Sequence, residues 1–294
     1  MKDVQTMKSA TRLVRKFMHR LVCRFTYQSA HRVERPPATR LALPSLAALC
    51  LTAATAATAA DIKVLTAGAY KPVVLALQAD FEARTGHRLK VENDTAGTLQ
   101  RRVAAGEAFD VLVITPAALA QLAQAGKVVD GSKNEGATRS LARVAIGVAV
   151  KNGAAAPDIS TVSAFQNALL SARAVAYIDP AAGGSSGIYL SQLFEKWGMA
   201  DRIKAKAVLV PGGLVAQRVV DGQADIAIHQ ISEILAVPGA TLVGPIPAEI
   251  QNYTVYVGGV SAAAADPAAA RALLDLLAGS AAAAVLKSKG MEAP

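Results

Sequence analysis

The sequence predicts an α/β protein of two lobes, each a mostly parallel sheet flanked by helices, with two hinge crossings between them. Three observations predict it. From Ile62 onward, short apolar runs alternate with stretches of helical periodicity, the pattern of strands and helices taken in turn. Strand-to-helix loops bearing glycine or threonine recur at Thr66–Tyr70, Asn93–Thr98, Gly183–Gly187 and Pro211–Gly213, two in each half. Two longer strand candidates, Val144–Val150 and Gln251–Val260, bracket the second half, and the crossings are expected near Leu141–Val150 and Gln251–Val260. Lobe 1 is therefore expected over residues 60–143 and 253–294, and lobe 2 over residues 144–252.

Each element has its own signal. Ile62–Leu65 is a strand, and Pro72 marks a first helical turn whose stripe is Val73, Val74, Leu77 and Phe81. Leu89–Val91 is a strand leading to a helix with Leu99 and Val103 inward. Asp110–Ile114 is a strand, and Thr115-Pro116 opens the helix of Leu119 and Leu122. Residues 127–142 are polar and glycine-containing, and read as a surface connection. Phe165 and Leu169 mark a helix. Val175–Ile178 is a buried strand, ended by Asp179-Pro180 because proline cannot donate to a ladder. Leu190, Leu193, Phe194 and Trp197 then form one helical face, capped by Gly198. Ala207–Val210 is a strand, and Pro211-Gly212-Gly213 opens a helix with Val215 and Val219 inward. Asp225–Ile228 is a strand ending at His229-Gln230, with a short helix from Ser232-Glu233. Asp266-Pro267 caps a helix bearing Leu273, Leu274 and Leu277, and an alanine-rich helix runs to Gly290.

Residues 1–59 read as a secretory signal peptide with an extended basic region. Leu41–Ala60 is apolar and uncharged, follows Arg32, Arg35 and Arg40, and closes on the small-x-small pattern Ala57-Thr58-Ala59. Translation from Met7 or Met18 would shorten it. Ten Lys and Arg against two acidic residues put +8 in residues 1–59, out of +9 for the whole chain, which leaves +1 for the exported part. The basic pI thus belongs to the leader, and a nucleic-acid partner is not expected. Both cysteines, Cys23 and Cys50, also fall in the leader. The exported part has no thiol for a disulfide, a nucleophile or a metal site. A periplasmic monomer without metal or cofactor is expected.

The central loop, Gly183-Gly184-Ser185-Ser186-Gly187, lies between a strand and a helix. Glycines admit a ligand to the backbone, and a helix N-terminus offers free N–H groups and the positive dipole end. In open parallel sheets ligands sit beyond the carboxyl ends of the strands. Four such loops facing one cleft would capture an anion without a fixed charge.

The most specific motifs are Thr66-Ala67-Gly68-Ala69, Gly97-Thr98-Leu99 with Gly106 and Phe109-Asp110-Val111, Asp179-Pro180 with Gly187-Ile188-Tyr189, and Gly222-Gln223-Ala224-Asp225. Together they resemble the periplasmic molybdate-binding proteins of ABC transporters, within the type II periplasmic solute-binding fold. The resemblance spans the exported chain. It implies two lobes closing on a small anion held by neutral donors, and delivery to an inner-membrane ABC permease or presentation to a sensor. Carried over position by position, the ligand site comprises Gly68, Ala69, Tyr70, Thr95, Ala96, Ser185, Ser186, Gly213, His229 and Gln230. Several family hydroxyls are replaced. A serine falls on Ala69, a serine pair on Thr95 and Ala96, and a tyrosine on Gln230. The ligand is thus either a molybdate-like oxyanion or a small organic carboxylate.

One enzyme reading competes. Gly183–Gly187 also matches G-x-S-x-G, with Asp225 and His229 following in the order of a secreted serine hydrolase using Ser185. Against it, the turn after Ile178 is long, and Asp225 and His229 share one short strand. His87 reads as a solvated turn residue, and Arg101-Arg102 and Lys204/Lys206 as solvated faces.

Overall fold

The computed structural model describes residues 59–294. The expected leader, with both cysteines, lies outside the described residues except for Ala59. The first block runs β1 (Asp61–Ala67), α1 (Lys71–Thr85), β2 (Arg88–Asp94), α2 (Ala96–Ala104), β3 (Val111–Ile114) and α3 (Pro116–Gln124). Its caps follow from sequence. Gly86 ends α1 at φ +76°, and the Thr95 hydroxyl accepts from the Thr98 N–H to start α2. β1 pairs in parallel with both β2 and β3.

The chain then runs through β4 (Thr138–Val144) and β5 (Ile146–Lys151) into the second block. That block comprises α4 (Val162–Ser171), β6 (Val175–Ile178), α5 (Ser185–Lys196), α6 (Ala200–Lys204), β7 (Ala207–Val210), α7 (Gln217–Val220), β8 (Ile226–Gln230), α8 (Ile231–Ile234) and β9 (Ala240–Pro245). It returns through β10 (Thr254–Val260) to α9 (Pro267–Ala278), α10 (Ser280–Ser288) and β11 (Met291–Glu292). The first sheet has the order β11-β4-β10-β3-β1-β2 and the second β7-β6-β8-β5-β9. Each sheet is parallel in its βαβ half, and antiparallel where the strands adjoining the crossings enter it. Both sheets have buried cores. Tyr70, Val73 and Phe81 pack with Leu273 and Leu277 on the first, and Phe165, Leu190 and Phe194 pack with Ile228 on the second.

Four expectations change. Residues 127–142 are not merely a surface connection. β4 is inserted between β10 and β11, and buries Leu141 and Ala142, which the interleaved Arg139, Ser140 and Arg143 disguise. Val144–Val150 is not one strand. Val144 pairs with Thr254 in the first sheet and Ile146 with Gln230 in the second, so the chain changes sheets at Ala145. β9, with Gly244 and Pro245, was not anticipated; it is tolerated because it is an edge strand. The helix expected from Val215 is the single turn α7.

Gln251 ties the two crossings together. Its Oε1 accepts from Ile146 N at 2.9 Å, and its Nε2 donates to Ile146 O at 3.0 Å and Ile246 O at 3.3 Å. One amide side chain from the return crossing thus bonds the backbone at the start of β5 and just past the end of β9.

Candidate functional site

Residues of both sheets' blocks line a small cavity of about 30 Å³. Its walls come from the β1 end (Gly68, Ala69), the β2–α2 junction (Asn93, Asp94, Thr95, Ala96), the start of α5 (Gly184, Ser185, Ser186), Gly213, the β8 end (His229, Gln230), Glu233 and Tyr256. Nine of the ten residues singled out from sequence line it. Tyr70 does not. It is fully buried in the first core, where its hydroxyl donates to Leu277 O at 3.2 Å. The helical stripe of α1 draws it inward beside Val73 and Val74.

Side chains of α5 and β8, joined by Thr254 of β10 on the first sheet, form a directed chain of hydrogen bonds. Ser186 Oγ donates to Gln230 Oε1 at 3.2 Å, and Gln230 Nε2 donates to Ser185 Oγ at 3.0 Å. Thr254 Oγ1 donates to the same Ser185 oxygen at 3.1 Å. A serine hydroxyl has two acceptor sites and one proton. Both acceptor sites of Ser185 are filled, so its proton is left for the cavity or for the Tyr256 hydroxyl beside it. Ser185 is the first residue of α5, where unsatisfied N–H groups and the positive dipole end favour an anion. Gln230 therefore sets the direction of this hydroxyl.

Thr95 has a different task. Its hydroxyl accepts the α2 cap bond and donates to Ala182 O at 2.5 Å, across the cleft. Beside it, Gly97 N donates to Gly183 O at 3.0 Å. A Cβ on Gly97 would come within 2.7 Å of the Gly183 Cα. Only two glycines permit this contact between the sheets' loops.

The β8 end also carries an imidazole and, just beyond it, an acid. His229 Nε2 lies 3.2 Å from Glu233 Oε2, four residues on at the start of α8. Both side chains are nearly fully enclosed. Burial raises the Glu233 carboxyl to about 8 and pushes His229 well below its usual range, so both are held toward their neutral forms. In that state Glu233 donates to Nε2 and the ring proton sits on Nδ1, which has no partner and lies buried. Glu233 Oε1 lies over Gly68, where an added Cβ would be 2.5 Å away. Asp94 also lines the cavity, but its Oδ1 accepts from Thr95 N at 2.8 Å, and Arg102 lies 3.9 Å from its other oxygen.

Sequence reasoning missed Glu233, Tyr256, Asn93 and Asp94 as wall residues. The signal for Glu233 was present, as an acid four residues after a histidine at a strand end. Tyr256 reaches the site from β10, on the first sheet, and no local pattern announces it. The hydrolase arrangement does not assemble. Asp225 bonds the Arg173 backbone and guanidinium at 2.6 and 3.1 Å on the surface, and the partner of His229 is Glu233. Other solvated assignments change too. His87 is buried, its Nδ1 accepting from Ala60 N at 3.3 Å with Asp266 3.7 Å from the other nitrogen. Arg102 joins Glu92 and Glu107, and Lys206 donates to Leu170 O and Ala172 O. Among the described residues no cluster of three His, Cys, Asp or Glu could hold a metal.

Residues 62–292 match the bacterial extracellular solute-binding protein family. A protein of Pseudomonas sp. named aconitate isomerase is 34% identical over 237 residues, covering 79% of this chain and 87% of that one. Among solved structures, the periplasmic molybdate-binding protein of Azotobacter vinelandii superposes with TM-score 0.64 at 20% identity, over 79% of this chain and 99% of that one. The sulfate-binding protein SubI of Mycobacterium tuberculosis does so with TM-score 0.63 at 16% identity, over 80% and 87%. At those identities the structures speak for the fold, a two-lobed type II periplasmic binding fold. By the extent of the family match, the chain belongs to the bacterial extracellular solute-binding proteins.

Proposed function

We propose that this solute-binding protein captures a small unsaturated polycarboxylate of the aconitate class between its lobes and isomerises it by moving a proton. The observation that carries this reading is the His229–Glu233 pair in the cavity wall. To an anion, a buried carboxyl held protonated offers one hydrogen-bond donor, which a serine would offer at a smaller desolvation cost. A proton-transfer site needs a group whose pKa is brought near neutrality by burial, and Glu233 is one.

The step balances without a cofactor. The Glu233 carboxylate removes a proton from the methylene carbon next to a ligand carboxylate, and the electron pair delocalises over the adjoining double bond. The same carboxyl then returns a proton to the far carbon of the allylic unit, and the double bond has moved. Ser185, directed by Gln230, and the α5 N-terminus hold the carboxylate on which charge accumulates. The name borne by the Pseudomonas relative supports the substrate class.

A second reading keeps the same ligand class without chemistry: capture in the periplasm and delivery to an ABC permease. The neutral-donor wall of Ser185, Ser186 and Gln230 favours it, and so does the family. One experiment separates the two. Purified protein is incubated with cis-aconitate and followed by proton NMR. The isomerase reading expects the trans isomer to accumulate, and Glu233→Gln to stop it. Calorimetric binding of aconitate without turnover would leave the transport reading standing, and binding of neither isomer would refute both.

A further inference from the structure

The inner cavity is too small for the ligand just proposed. Its roughly 30 Å³ holds about two waters, so one carboxylate group enters and the remainder of a polycarboxylate does not. A second, open cavity of about 580 Å³ adjoins it, and Gly68, Asn93, Gly213 and Glu233 line both. The outer cavity differs in charge. It carries two lysines, Lys71 and Lys289, whereas no lysine or arginine lines the inner one.

Neither lysine is an incidental surface residue. Lys71 is the first residue of α1, where the helix dipole disfavours a cation. A cation kept there adds to the pull on an anion instead of stabilising the helix. Its Nζ donates to Asn93 Oδ1 at 2.8 Å. That bond fixes the amide, so that Asn93 Nδ2 faces Gly68, on the side where Glu233 Oε1 lies. Lys289 follows α10 and is carried to the cavity by Gly290. A Cβ on Gly290 would fall 2.6 Å from Ile231 and 2.9 Å from Leu235, so this turn is seated directly on the segment that bears Glu233. Pro72, Leu75 and Leu214 supply apolar walls between the charges.

We propose that the outer cavity is a second carboxylate subsite, in which Lys71 and Lys289 hold the distal end of an elongated polycarboxylate whose near carboxylate occupies the inner cavity. This rests on the polycarboxylate reading above and adds how the site measures length. A single-headed anion fills only the inner cavity and does not meet the lysines. A polycarboxylate meets both groups of donors, and its hydrocarbon skeleton crosses the gap beside Glu233.

The test is calorimetric titration of the purified protein with trans-aconitate, crotonate and sulfate. Lys71→Met/Lys289→Met should weaken trans-aconitate about ten- to a hundredfold, the effect of losing hydrogen bonds to a charged group. Crotonate and sulfate, where they bind, should be unaffected, and the ligand-free melting temperature should hold. Lys71→Arg with Lys289 intact should retain most of the trans-aconitate affinity. An undiminished trans-aconitate affinity in the double variant overturns the subsite. So does an equal loss for crotonate or sulfate, which would show the lysines acting on any anion. Failure of the wild-type protein to bind trans-aconitate is a different result: it removes the proposed function, and this subsite with it.

Discussion

The two walls of the inner cavity solve the problem of an anion differently. On one, Ser186, Gln230, Thr254 and Ser185 form a chain in which the assigned donors and acceptors are matched and one proton is left over. Nothing in that chain titrates near neutral pH, so it grips a ligand in the same way across that range. On the other, Glu233 and His229 share one contact, and Nδ1 of the imidazole has no partner. The first wall is a holder. The second holds a carboxyl that titrates near neutral pH, at a cost in folding stability.

The largest effect should come from breaking the second wall. Glu233→Gln removes the titrating oxygen but keeps the shape. Turnover of aconitate should fall about 10²–10⁴-fold, the usual contribution of a positioned general base, while calorimetric affinity changes little. In the wild type, turnover should rise with pH through about 8 as the carboxylate forms.

The same substitution should show the cost in stability. Glu233 is raised from 4.5 in the folded state to about 8. Below 4.5 both states are protonated and the penalty is absent. As pH climbs, the unfolded carboxyl ionises first, and stability is lost until the folded pKa is passed. Glu233→Gln should therefore match the wild type at pH 4 and exceed it at pH 8.5, by about 2–4 kcal/mol after local relaxation. Denaturant unfolding at the two pH values measures this. Equal differences at both would place the carboxyl outside the buried pair.

Closing the loops of the two sheets on each other depends on Gly97 and Gly183. Gly97→Ala puts a methyl group 2.7 Å from the Gly183 backbone, and should cost the closed form about 1–3 kcal/mol. Affinity should drop accordingly while the melting temperature without ligand falls little. Small-angle scattering should show a more open particle in the presence of ligand. An unchanged affinity would mean that this contact forms independently of binding.

The first wall should yield graded effects. Ser185→Ala removes the hydroxyl left for the anion, and should weaken binding about ten- to a hundredfold. Ser186→Ala acts only through the Gln230 amide, and its effect should be several-fold smaller. Reversal of that order in titrations would mean that Ser186 meets the ligand directly.

Much of this was already in the chain. Alternating strands and helices follow from apolar periodicity, since each element must bury one face. Gly68, Thr95, Ser185, Ser186 and Gly213 are legible because glycine, serine and threonine at strand ends mark loops open to a ligand, whereas Ala69, Ala96, His229 and Gln230 are placed by the family resemblance. The elements that were misread share a cause. β4 hides its buried Leu141 and Ala142 among arginine and serine, because only the flanking β10 and β11 tell the strand which face is inward. His87 and Lys206 look solvated because polar residues usually are, yet each finds partners far off in sequence.

By itself the sequence determined the α/β class, the loops that bear the donors and the small net charge of residues 60–294, because these depend on local pattern and composition. Only the tertiary structure decided how the donors are used. It turned Tyr70 into core, gave the Thr95 proton to Ala182, and brought Tyr256 in from the other sheet. It also buried Glu233 against His229, and that burial is what raises the carboxyl's pKa. A hydrogen bond's direction and a carboxyl's pKa depend on what surrounds the atom, and those surroundings come from segments far apart in the chain.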